Sequence, residues 1–147
     1  MKIIKMNLSN EFSGEVELAS TRRMLTGQTV EEAELAALVW SLSCCQRENI
    51  MIKESEMDCK VVVDWIKRRH LSGVLGHIIE DCLNLMVSID CDAILHCPRE
   101  GNEVAHLLAK RAKDMSEEAV AWFDLSHMPD DIQLVIIRKT KSSFEGG

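Results

Sequence analysis

Residues 29–69 read TVEEAELAALVWSLSCCQRENIMIKESEMDCKVVVDWIKRR, and within them the spacing of apolar residues changes twice. Thr29 and Glu32 make a capping-box pattern, the hydroxyl facing the amide three residues on and the carboxylate reaching back. Ala33, Ala36, Ala37, Leu38, Trp40 and Leu42 then combine strong helical propensity with a wide apolar face as far as Cys45. From Asn49 to Met57 the pattern shortens to alternation, with Ile50 and Ile52 on one side and Met51 and Met57 on the other, which predicts a strand. Val61, Val62 and Val63 favour strands. Val62, Trp65, Ile66 and Arg69 nevertheless fit helical spacing, and Asp58 is a natural N-cap, so Lys60 to Arg69 is read as a second helix. A strand set between two helices points to an α/β layer structure.

The same reading extends to both sides. Upstream, Ile3–Leu8, Gly14–Ala19 and Arg22–Thr26 read as three short strands joined by tight turns, an antiparallel meander. Downstream, Val74 to Ser88 carries Leu75, Ile78, Ile79, Cys82, Leu85 and Met86 on one helical stripe. Asp92 to Cys97 is a strand stopped by Pro98, and Asn102 caps a helix through Lys113 that buries Val104, Leu107, Leu108 and Ala112. The order β-β-β-α-β-α-α-β-α predicts a mixed five-stranded sheet, a three-strand antiparallel meander followed by parallel strands, with helices on both faces. Residues 1–115 are expected to form this domain. Residues 116–140, whose apolar groups include Trp122, Phe123 and Ile132 to Ile137, are expected to pack on it as extra helix or strand. Residues 141–147 are expected to be a mobile tail.

Composition narrows the function classes. The chain has 147 residues, 46% hydrophobic and 28% charged, which suits one folded domain and excludes wholesale disorder. No apolar run reaches the ~18–20 residues of a membrane span, and the N-terminus lacks a signal-peptide pattern, so an intracellular protein, nuclear or cytoplasmic, is expected. A net charge of −7 argues against loose whole-surface attraction to nucleic acid. The basic groups Lys67–Arg68–Arg69–His70 and Lys110–Arg111–Lys113 leave room for a local basic stripe, or for ordinary solvated helix faces. The six cysteines contain no CxxC pair and read as reduced, buried or half-buried thiols. Trp40 and Trp65 read as core residues and His77 as a surface or half-buried one. No glycine-rich phosphate loop and no nucleophile elbow is present.

Sites in such sheets form at the carboxyl ends of parallel strands. Asp58 ends one predicted strand, and Glu34 lies one turn into the helix that must pack beside it. Two convergent carboxylates make a hard oxygen site suited to Mg²⁺. The competing reading makes Asp58 simply a helix cap and Glu34 a solvated residue.

Three blocks carry a resemblance. HCPREGNEVAHLLAKRA, residues 96–112, resembles the closing strand, loop and helix of plant ribonuclease H-like domains related to non-LTR retroelements. EEAELAALVWSL resembles their first helix, with its Ala-Glu at Ala33 and Glu34. SEMDCKVVVDWI resembles their fourth strand and the helix after it, with the strand-end aspartate on Asp58. The resemblance implies a ribonuclease H-like fold and a hydrolase that cuts the RNA strand of an RNA–DNA hybrid with Mg²⁺ or Mn²⁺. It implies four catalytic carboxylates, of which Glu34 and Asp58 match the second and third and would hold metal. The fourth position falls on His106. KMNLSNEF, laid on the first strand, puts Ser9 where an aspartate belongs. His96 and Arg99 match a His-x-Pro-Arg turn that orients the last helix or touches a phosphate. Lys67, Arg68, Arg69, Arg99 and Asn102 are the candidate nucleic-acid contacts.

With two of four carboxylates replaced, metal affinity and stabilisation of the transition state should both fall. Glu54, Glu56, Asp64 and Glu103 are spare carboxylates, and Glu56 shares a face with Asp58 only if the strand runs unbroken. Three readings follow: an impaired hydrolase, a domain kept for weak binding of RNA–DNA hybrid or RNA, and a protein-interaction module.

Overall fold

The computed structural model describes residues 19–22, 29–98, 103–113, 119–122 and 125–135. They form β1 (Ala19–Arg22), α1 (Val30–Arg47), β2 (Glu54–Met57), α2 (Lys60–Lys67), α3 (Gly76–Ser88), β3 (Ala93–His96), α4 (Glu103–Lys113) and β4 (Ala119–Trp122). A 3₁₀ turn (Leu125–His127) and a helical segment, 130–135, follow. This is a mixed α/β structure. Among the described residues the strands make two pairs: β2 runs parallel to β3, with Met57 opposite His96, and β1 runs antiparallel to β4, with Ala19 opposite Trp122. The expected strand at residues 3–8 and the tail at 141–147 lie outside the described residues. Of the predicted meander, the described part is β1, which spans the short break expected between the second and third strands.

The capping box at α1 forms as its residue types require. The Thr29 hydroxyl accepts from the Glu32 amide at 3.2 Å, and the Glu32 carboxylate accepts from the Thr29 amide at 2.9 Å. The helix buries Leu35, Leu38, Leu42 and Cys45, which pack with Ile52, Met57, Val62, Val63, Ile66, Ile79, Cys82, Met86 and Ile94 in the main core. A second cluster joins Val104 and Leu108 of α4 to Met128, Ile132 and Val135, with Trp40 packed against both clusters.

Two expectations fail at the level of elements. The strand read from Asn49 forms only from Glu54, because a bend at Lys53 shifts the alternation by one residue. Ile50 and Ile52 are buried before the bend, Ser55 and Met57 after it, so Met57 joins the core rather than facing away from it. Asp58 does not cap α2. Cys59 holds that position with no side-chain cap bond, and the Asp58 carboxylate lies 3.5 Å from the His106 ring.

Candidate active site and nucleic-acid interface

The parallel pair β2–β3 aims two residues at one end of the molecule. Asp58 follows the last residue of β2, and His96 closes β3. The Cys97 amide donates to the Met57 carbonyl at 2.9 Å, which holds the two strand ends together. α4 stands over this end because Val104 and Leu108 on one face are buried in the second cluster. His106 lies between them in sequence, and its Nε2 sits 3.5 Å from Asp58 Oδ2. The Asp58 side chain is 6% exposed and that of His106 32%, so the contact is shielded on the carboxylate side and open to solvent on the imidazole side. At this distance it is electrostatic more than directional.

Glu34 lies on the inward face of α1, beside Leu35 and Leu38 of the main core, and is only 8% exposed. The solvated-residue reading of Glu34 therefore fails, and the cap reading of Asp58 has failed above. Of the spare carboxylates, Glu54 and Glu56 are on the exposed side of β2, while Asp64 pairs with Lys60 one turn back along α2 at 3.3 Å. Glu56 does not share a face with Asp58, because the strand ends at Met57 and the chain bends.

The basic residues sit elsewhere. Lys67 is the last residue of α2, and Arg68, Arg69 and His70 form the exposed turn after it. An eight-residue helix separates them from Asp58, about 12 Å along its axis. None of Lys67, Arg68 and Arg69 has an ion-pair partner among the described residues. Arg111 of the second basic group is paired with Asp131 at 3.3 Å. Ser9, Arg99 and Asn102 lie outside the described residues.

The remaining expectations concern residues that serve the core. All six cysteines are free thiols; Cys59 is half-buried and the other five are buried. Burial pushes the Cys45 and Cys82 thiols from their ordinary 9.0 up to about 12, and raises that of Cys91 as well. Cys91 and Cys97 are buried while His96 is exposed. Trp40 and Trp65 pack partly buried on the core, and His77 is exposed.

The direct approach of His106 to Asp58 is the feature that reading the sequence missed. The signal was present: both positions belong to one motif set, and an imidazole is drawn to a neighbouring carboxylate.

The comparison with known proteins accords with this geometry. No curated protein and no solved structure matches the chain. A family model described as reverse transcriptase-like matches residues 4–112, which include Glu34, Asp58, the basic turn and all of α4 except Lys113. The chain belongs to the reverse transcriptase-like family, the ribonuclease H-like family of retroelements.

Proposed function

We propose that this chain is a ribonuclease H-like nucleic-acid-binding domain that takes RNA–DNA hybrid or RNA, and that its metal-dependent cleavage of the RNA strand is severely weakened. The observation that carries this reading is the approach of His106 Nε2 to Asp58 Oδ2 at 3.5 Å.

A two-ion centre of the kind the resemblance implies needs carboxylates that bridge and charge-balance the ions. Glu34 and Asp58 offer such oxygens. His106 offers a nitrogen, which suits Mn²⁺ or Zn²⁺ better than Mg²⁺. Ser9, at the first position of the motif, offers a neutral hydroxyl. The donor set does not fit a pair of Mg²⁺ ions. The His106 ring stands 3.5 Å from Asp58, where a cation would otherwise stand, so an incoming ion must displace it.

What the domain retains is a means of gripping the phosphate backbone. Lys67, Arg68 and Arg69 are exposed and unpaired among the described residues. Against a net charge of −7, this gives weak binding that falls steeply with salt.

The test is cleavage and binding of a labelled RNA–DNA hybrid by the natural chain, Asp58→Asn and His106→Asp. The natural chain is expected to bind at low salt and to cut little or nothing in Mg²⁺. His106→Asp, which returns a carboxylate beside Asp58, is expected to raise cleavage in Mn²⁺ by about tenfold or more, since one well-placed electrostatic group is worth roughly 10²–10³ in rate. Vigorous cleavage by the natural chain in Mg²⁺, abolished in Asp58→Asn, would remove the impairment. Failure to bind hybrid or RNA at low salt would remove the nucleic-acid reading and leave the protein-interaction module.

A further inference from the structure

Three helices of this chain end in the same way, and one uses the wrong kind of residue. At the end of α1 the Ile50 amide donates to the Cys45 carbonyl at 2.8 Å. After α2 the His70 amide donates to Trp65 at 3.0 Å, and after α3 the Cys91 amide donates to Met86 at 2.8 Å. Each is the six-to-one bond of a Schellman motif, which needs the residue before the donor in the left-handed region. Those residues are Asn49 at φ 55°, Arg69 at φ 51° and Asp90 at φ 57°. Asn and Asp tolerate that region because their short polar side chains bond locally; a long side chain lacks that local bond and adopts it less readily. The chain thus ends two helices with tolerant residues and a third with arginine, at a conformational cost that glycine or asparagine would avoid.

The bonds from the His70 amide to Trp65 and from the Arg69 amide to Ile66 account for the left-handed backbone at 69, but not for the choice of arginine there. Arg69 is exposed and has no ion pair among the described residues. The turn that carries it is tightly shaped on its far side. Gly73 has φ 90°, and a Cβ on Gly76 would run into the Leu71 carbonyl oxygen, so the loop returns to α3 along a path that a side chain at 76 would block. Strain retained at an exposed position points to function. A planar guanidinium held on a defined backbone is suited to bidentate recognition of phosphate.

We propose that Arg69 is the phosphate anchor of the domain, held by the left-handed end of α2, with Lys67 and Arg68 adding less directional charge. The proposal rests on the nucleic-acid reading above and specifies which residue carries it. Arg69 differs from its neighbours in one testable respect: replacing it should stabilise the fold while weakening binding.

The experiment measures thermal midpoint, and affinity for a labelled RNA–DNA hybrid across salt concentrations, for the natural chain, Arg69→Gly, Arg69→Asn and Asn49→Gly. Arg69→Gly and Arg69→Asn are expected to melt a few degrees higher. They should bind roughly five- to tenfold more weakly at low salt, with the salt slope reduced by about one phosphate contact. Asn49→Gly should bind as the natural chain does. Binding unchanged in Arg69→Gly, or a lower midpoint in both Arg69 variants, overturns the anchor while leaving the nucleic-acid reading in place. A natural chain that binds no nucleic acid at low salt overturns both, and is told apart because the loss precedes any substitution.

Discussion

At the scale of single residues, Asp58 shows how one partner redirects another. An aspartate just before a helix ordinarily serves the helix amides, but here it turns to His106 and α2 begins at Lys60 without a side-chain cap. The motif spacing made Glu34, Asp58 and His106 legible as a set. Their pairing was not, because it depends on how α4 is rotated, and Met128, Ile132 and Val135 far along the chain help to hold that rotation. The buried thiols supply a prediction at the same scale. With Cys45 and Cys82 held near 12 in the folded chain against 9.0 when exposed, the unfolded chain releases their protons first. Their contribution to stability is whole below pH 9 and is lost as pH rises from 9 toward 12. Urea midpoints measured from pH 8 upward should therefore fall above pH 9, and fall less in Cys82→Ala. Below pH 9, alkylation should reach the half-buried Cys59 before either.

Among the elements, α1 was the most legible, because its start is written in side chains that bond locally. Thr29 and Glu32 satisfy each other's amides as the spacing requires. Thr29→Ala is expected to cost about 1 kcal/mol, read from the shift in urea midpoint with an unchanged slope. β2 was less legible. The alternation from Asn49 to Met57 is continuous in residue type, yet the chain bends at Lys53, whose carbonyl accepts from the Asp92 amide at 2.7 Å. A bend held by a backbone bond to a residue about forty positions on leaves no local mark. The valine run of α2 is the converse case: strand-favouring residues are held helical because Val62, Val63 and Ile66 reach the main core together.

At the scale of the whole molecule, the family match ends at residue 112, and the described chain beyond it still builds core. β4 completes the β1 ladder, and Met128, Ile132 and Val135 cover the apolar face of the helix that carries His106. Ile132 is wholly buried, so Ile132→Ala is expected to cost roughly 2–5 kcal/mol. It should also shift the His106 ring resonances in nuclear magnetic resonance spectra, since α4 loses part of what holds it against Asp58. An unmoved His106 would show that α4 is held from its other side. The β1–β4 pairing also has a bearing on how the chain is made. Ala19 and Trp122 are neighbours across that ladder but nearly the whole described chain apart in sequence. Closing so long a loop adds little to the free-energy cost but slows the search for the partner strand. During synthesis the helices and the parallel pair can assemble as they emerge. The edge of β1 that β4 will cover stays open until residue 122 has left the ribosome, and that interval is when the nascent chain is most exposed to pairing with a strand that is not its own.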